Sequence, residues 1–219
     1  MQLLPRPQRN YQLLKGLRSE PSQEKPWLNF LDQQKAEKTN SPSHRPHRDL
    51  RSQKFGDRVA IFIDGANLFY AALQLNLEID YGQLLRCLTN NRPLLRAYFY
   101  TGIDNSNNKQ HGFLLWMRRN GYRVFTKNLN QTDSRDQTVN LDVEMTVDML
   151  TLAKHCNTLV VLSGSGNLTY ALDRISYLGV RTEVVSLRSM TSDALINVAD
   201  EYIDLENLQL EIQKSTSKS

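Results

Sequence analysis

The sequence predicts an α/β fold whose parallel sheet is covered by helices on both faces, and three observations carry that expectation. Strand-like and helix-like segments alternate from Asp57 onward. Two apolar strand-like runs end directly in small-residue turns bearing polar side chains, Asp64-Gly65-Ala66-Asn67 and Ser163-Gly164-Ser165-Gly166-Asn167. Gly121 and Gly179 stop helix-like segments and are followed at once by further strand-like runs. Alternation of this kind is the pattern of strand–helix–strand units, whose crossover helices cover a parallel sheet.

Val59 to Ile63 is apolar throughout, as a strand buried on both faces must be. Asp64 ends it, and Asn67 is placed to cap a helix around residues 68 to 76. A second helix-like stretch covers residues 80 to 89, and the next strand runs from Leu95 to Thr101. Residues 107 to 120 read as a helix that Gly121 ends, ahead of a strand over Tyr122 to Thr126. The stretch 141 to 155 is helical by the spacing of Met145, Met149 and Leu152, which share one core-facing side. Thr158 to Leu162 runs as a strand into the Ser163 turn, a helix follows over 168 to 178, and the next strand is Thr182 to Leu187. Leu195, Val198 and Ala199 suggest one more short helix, Tyr202 to Leu205 a last extended piece, and the end is a helical turn with a polar tail.

At 219 residues the chain has room for one α/β domain and a surplus. That surplus is the segment 1–56, with 11 Lys or Arg against 5 Asp or Glu, so the basic excess belongs to it and the remainder is slightly acidic. The segment is rich in Gln, Ser, Pro and Asn, and its apolar residues fall in two small clusters, Tyr11 to Leu17 and Trp27 to Leu31. So little apolar surface does not offset the ordering entropy, and a disordered basic extension is expected, followed by a domain over 57–208 and a polar tail over 209–219. Cys87 and Cys156 have no spacing of a zinc site or disulfide framework, which fits a reducing cytoplasm. No apolar run reaches the roughly 18 residues of a membrane span, and no secretory signal follows Met1.

Chemistry concentrates at the strand ends. Open α/β sheets bind ligands beyond the carboxyl ends of their strands, so Asp64 is the first residue to place in a site. In the 141–155 helix, Asp142 occupies the first turn, where the helix dipole favours a carboxylate in any case. Asp148 lies between Val147 and Met149, and an acid in so apolar a setting calls for a metal, a backbone turn or a basic partner.

These motifs together resemble a known family. Ile63-Asp64-Gly65-Ala66-Asn67-Leu68, then Asn140-Leu141-Asp142-Val143-Glu144 with Val147-Asp148-Met149, then Ser163-Gly164-x-Gly166 resemble the NYN domain, a PIN-like nuclease fold. Tyr100-Thr101-Gly102, Trp116 to Tyr122 and Ser186 to Asp193 are similar to its cyanobacterial LabA branch. The resemblance spans about residues 57 to 208 and implies a PIN-like, Rossmann-like three-layer sandwich. It also implies an acidic pocket that binds Mg2+ or Mn2+ and cleaves RNA in active relatives, with the ions activating water and neutralising the scissile phosphate. On these motifs the catalytic acids are Asp64, Asp142 and Asp148, with Asn67 orienting a ligand, and the metal ligands are Asp64 and Asp142.

One turn departs from the family. Active relatives typically read Ser-Gly-Asp-x-Asp, whereas Ser165 and Asn167 stand at the two acid positions here. A hydroxyl and an amide hydrogen-bond well but do not neutralise a divalent cation, so Asp64 and Asp142 are left to hold one ion weakly. A pocket with fewer acids tolerates a docked phosphate, and backbone N–H groups near Gly166 are expected to face it. The turn is no dinucleotide site, because it lacks the third glycine and the acid about 20 residues on.

Lys109, Arg118, Arg119 and Lys127, with Arg188, are the expected RNA contacts, although Arg118 and Arg119 also complement a helix end. The four histidines are scattered and form no triad. Two functions follow. One is a LabA-like regulatory protein with a weakened or inactive nuclease pocket, which by resemblance acts in negative regulation of gene expression in circadian clock output, through protein partners of that pathway and as a homodimer. The other is a metal-dependent ribonuclease with a reduced acid set.

Overall fold

A computed structural model of the chain describes residues 57–129 and 139–214. The basic extension expected over 1–56 and the last residues of the polar tail lie outside the described residues. The strands are β1 (Val59–Asp64), β2 (Leu94–Ile103), β3 (Tyr122–Asn128), β4 (Thr158–Leu162), β5 (Arg181–Ser186) and β6 (Glu201–Asp204). The helices are α1 (Gly65–Gln74), α2 (Tyr81–Thr89), α3 (Asn108–Arg119), α4 (Asp142–Ala153), α5 (Thr169–Ser176), α6 (Asp193–Val198) and α7 (Gln209–Ile212). No helix among the described residues is long and apolar enough to cross a membrane.

The six strands form one sheet in the order β3-β2-β1-β4-β5-β6, and every pairing is parallel. The chain winds outward from β1 through β2 to β3, returns to the other side of β1 with β4, and winds outward again. β1 and β4 therefore flank the point where the winding direction reverses, and in such sheets a crevice opens there at the carboxyl edge.

Two apolar layers sandwich the sheet. On one face Ile61 and Ile63 of β1 pack with Phe99, Leu68, Leu84, Leu114 and Met117, from β2 and helices α1, α2 and α3. On the other, Ala60 and Phe62 pack with Tyr98, Tyr100, Met145, Met149 and Leu172, under α4 and α5. Successive strand residues alternate between faces, so Asp64 continues the Ala60–Phe62 series and looks toward α4. Aromatic rings line that face, with Phe62 stacked on Tyr98 at 5.0 Å and Tyr100 on Phe125 at 5.3 Å between centroids.

Helix α1 starts earlier than the sequence suggests. Asp64, not Asn67, is its N-cap, because the Asp64 carboxylate accepts the backbone N–H groups of Ala66 and Asn67 at 3.0 and 3.1 Å. The helix then begins at Gly65, where a Cβ would stand 2.7 Å from the Phe99 ring. Gly121 and Gly179 stop helices in the left-handed region, at φ of 94° and 78°.

Candidate functional site

The carboxyl ends of β1, β4 and β5 each present a polar side chain, Asp64, Ser163 and Ser186. Both serines are buried, and a buried hydroxyl needs a partner. Ser163 donates its hydroxyl to the second oxygen of Asp64 at 3.2 Å, and Ser186 donates to the Asn67 side-chain oxygen at 3.1 Å. These contacts knit β1, the first turn of α1, β4 and β5 into one floor. Ser163 and Ser186 were absent from the sequence expectation as site residues, although each is a polar residue closing an apolar strand at the edge where Asp64 lies.

Asp142 opens α4 and overhangs this floor. One of its oxygens accepts from Ser165 Oγ at 2.9 Å, from the Asn167 amide at 2.8 Å and from the Asn140 amide at 3.2 Å. Asn140 in turn accepts the Asp142 backbone N–H at 2.7 Å, taking one of the N–H groups that a helix start leaves unpaired. Asp64 and Asp142 are close enough to influence each other. The Asp64 carboxyl is held above its ordinary range mainly by burial, with the charge of Asp142 pushing the same way, while hydrogen bonds from Asn67, Ser163 and Ala66 pull against it.

The turn after β4 is fixed by its glycine. A Cβ on Gly164 would lie 2.1 Å from the Met190 carbonyl oxygen, and that carbonyl belongs to the loop that follows β5. The Ser192 N–H donates to the Gly164 carbonyl at 3.1 Å and locks the two loops together. The turn continues as one short 3-10 segment, Gly166–Leu168, before α5. Two of the N–H groups expected to face the cleft, those of Ser165 and Asn167, are already bonded. Ser163 Oγ accepts from Ser165 N at 3.2 Å and Ser165 Oγ accepts from Asn167 N at 3.4 Å, so the serine hydroxyls of the motif consume them.

Asp64, Asn67, Asp142, Ser165 and Asn167 therefore meet through Ser163 and Ser186 at one crevice. Asp148 does not join their network. It lies more than a turn further along α4 and accepts the Tyr100 hydroxyl at 2.8 Å, and Tyr100 is the strand neighbour of Asp64. Burial, then that hydrogen bond and the Asp148 charge, raise the Tyr100 hydroxyl far above its ordinary pKa, so it stays protonated and donates.

The basic residues separate as well. Lys109 begins α3 at the carboxyl edge, whereas Arg118 and Arg119 end that helix at the opposite edge, away from the crevice. Lys127 lies within β3, and its ammonium pairs with Glu144 of α4 at 2.9 Å. That contact lowers the Glu144 carboxyl below its usual range. Arg188 pairs with Asp193. Of these, Lys127 reaches α4, with its charge already partnered, and Lys109 stands on the helix that covers the other face.

An acid capping its own helix at the end of β1, a second acid opening a middle helix and a glycine-locked serine turn after β4 are the elements to compare with known proteins. The sequence model of the NYN domain matches residues 58–206. The chain belongs to the NYN domain family. It is 34% identical over 167 residues to the low amplitude and bright protein LabA of Synechococcus elongatus, a match covering 72% of this chain and 89% of that protein. It is thus an NYN protein of the LabA type. Its fold is also similar to the crystal structure of a protein of unknown function from Vibrio parahaemolyticus RIMD 2210633. That match has a TM-score of 0.61 and 25% identity, over 68% of this chain and 93% of the other.

The NYN fold invites the question of a metal. Two carboxylates, Asp64 and Asp142, face the crevice, and among the described residues no group of three or more His, Cys, Asp or Glu side chains is gathered to hold an ion. Mg2+ commonly rests on one or two carboxylates, with water and substrate phosphate completing its shell. The residues present fit one such ion and do not fit a pair.

Proposed function

We propose that this NYN protein uses its crevice to bind single-stranded RNA, with cleavage slow or absent, and that it acts as a regulatory module. The observation that carries this reading is the saturation of one oxygen of Asp142. A carboxylate oxygen has about two lone pairs, yet one oxygen of Asp142 accepts from Ser165, Asn167 and Asn140 together. Where active relatives carry acids that hold a cation, this chain carries donors that occupy one oxygen of Asp142. A cation at Asp142 would have to displace them or rest on the other oxygen alone. Action in clock output, through protein partners of such a pathway, goes with this reading through the likeness to LabA.

A second reading, an active Mg2+- or Mn2+-dependent ribonuclease, is favoured by one observation. The charge of Asp142 reaches Asp64, and a cation between the two would relieve that repulsion. It would be held by Asp64 and Asp142 and would neutralise charge on a phosphate oxygen.

The experiment is Mn2+ titration calorimetry alongside assay of mixed single-stranded RNA. The unmodified chain is expected to bind RNA without Mn2+ and to cleave at or near background. The double variant Ser165→Asp, Asn167→Asp should bind Mn2+ more tightly and cleave on the order of a hundredfold faster or more. Adding Asp64→Asn should abolish that gain. Robust Mn2+-dependent cleavage by the unmodified chain, lost on Asp64→Asn, would falsify the regulatory reading.

A further inference from the structure

Beside the acidic crevice, on the other face of the sheet, a cavity of about 170 Å3 opens between the start of α1 and the start of α3. Its walls include Phe69 and Tyr70 from α1, Phe99 and Thr101 from β2, and Gln110 and Phe113 from α3, and its rim includes Gly65 and Ala66. Those two rim residues follow Asp64 directly. The cavity and the acids thus share one turn of backbone, with β1 ending between them.

Its shape and chemistry point to one kind of occupant. The volume is well below the roughly 300–1,000 Å3 of pockets that take drug-sized molecules, so it suits a single flat ring system. Tyr70 is 43% exposed at the mouth, edge-to-face with Phe69 at 5.4 Å between ring centroids. Phe99 and Phe113 stand edge-to-face at 6.1 Å below. Phe99 and Phe113 are buried, so Tyr70 is the ring open to a base, and it stacks on any of them because every base has a π-face. The buried wall also carries an amide. Gln110 donates to the Gly102 carbonyl at 2.9 Å and accepts from the Asp104 N–H at 2.9 Å. A primary amide has two N–H donors and two acceptor lone pairs, so one of each is left beyond those two bonds. Lys109, next to Gln110 in the first turn of α3, is exposed.

We infer that this cavity is a base-binding subsite, receiving one unstacked base of a single-stranded nucleic acid whose phosphate backbone crosses the Asp64–Asp142 crevice. The inference rests on the proposed RNA-binding reading and deepens it. The base stacks on the exposed Tyr70 ring at the mouth, and the Gln110 amide meets its polar edge. Binding in this way fixes the strand's position over the acids through stacking, which a weakened metal site does not supply.

Full-length protein is titrated with a short single-stranded RNA and with the same RNA made abasic at successive positions, and RNA bearing 5-iodouridine is photocrosslinked and mapped by mass spectrometry. Unmodified protein should lose on the order of tenfold in affinity at one abasic position, with crosslinks at Tyr70 or Phe69. Tyr70→Ala, at an exposed site, should keep the thermal midpoint, weaken the intact RNA about tenfold and leave affinity for that abasic RNA unchanged. If RNA binds and is weakened by Lys127→Ala, while Tyr70→Ala and Phe69→Ala bind it as the unmodified chain does and crosslinks fall elsewhere, the subsite is wrong and the RNA reading stands. If no RNA binds, that reading fails. Adenosine monophosphate then decides the subsite by NMR, since shifts at Phe69, Tyr70 and Gln110 support it and unmoved resonances overturn it.

Discussion

Asp64 has opposing demands placed on it. It caps α1, accepts the Ser163 hydroxyl and lies in a buried crevice beside Asp142. Burial prevails, so its folded-state pKa lies above the ordinary 3.8. For an acid raised in this direction, the stabilising proton is fully bound below the unfolded pKa, and stability falls as pH rises from there through the folded pKa. Asp64→Asn removes this loss while keeping an oxygen to cap the helix. The variant should therefore melt higher than the unmodified chain at neutral pH, with the gap closing as pH falls toward 3.8, followed by thermal melts across pH. A gap that widens on acidification would mean that the ionised form is the one the fold prefers. Asp64, Asp142, Ser165 and Asn167 were legible in the sequence because each sits at an element boundary whose type the apolar pattern reveals. The placements of Asn67, Asp148 and Lys127 were not. Their partners Ser186, Tyr100 and Glu144 come from other elements, and no local pattern announces a contact between distant segments.

The strands and helices themselves were legible to within a few residues, since apolar runs and glycine stops act locally. What could not be read was how the loops close on one another. Gly164 looks like a flexible turn residue, but what makes it obligatory is the Met190 carbonyl of another loop. Gly164→Ala should cost about 1–3 kcal/mol by overpacking and should also weaken RNA binding, because the Ser163–Asn167 turn must shift. A chemical-denaturation curve superimposable on that of the unmodified chain would contradict the packing described. At the opposite edge, Arg92 ahead of β2 grips Glu183 of β5 through two bonds of 2.7 and 2.9 Å. Both side chains are largely buried, at 15% and 7% exposure. Glu183→Ala leaves the guanidinium without its main partner and should destabilise by about 3 kcal/mol or more, measured by the same method, while Glu183 lies too far from the crevice to alter RNA affinity in the protein that remains folded.

Across the whole molecule, residues 57–214 already hold a complete sheet with both faces covered. Removing residues 1–54 should accordingly leave the thermal midpoint nearly unchanged while weakening association with RNA or a protein partner, since the net basic excess goes with them. Calorimetry of the truncated chain tests the first half, and a drop of many degrees would show that the core depends on the missing segment. The sheet order has a further consequence, for the time at which the protein becomes competent. β1 is made first of the six described strands, yet one of its two neighbours is β4, and Ser163 lies 99 residues after the Asp64 it bonds. At roughly 5–20 residues per second of synthesis, β1 waits on the order of 5–20 s with one apolar edge unpaired. During that interval only half of the crevice exists. A chain stopped before Thr158 would carry Asp64 and the aromatic cavity but no serine turn, and it would expose an unpaired central strand to whatever binds nascent apolar segments. Ribosome-bound chains should thus acquire a working crevice abruptly, when the sheet's central pairing closes, and not by gradual accumulation of its parts.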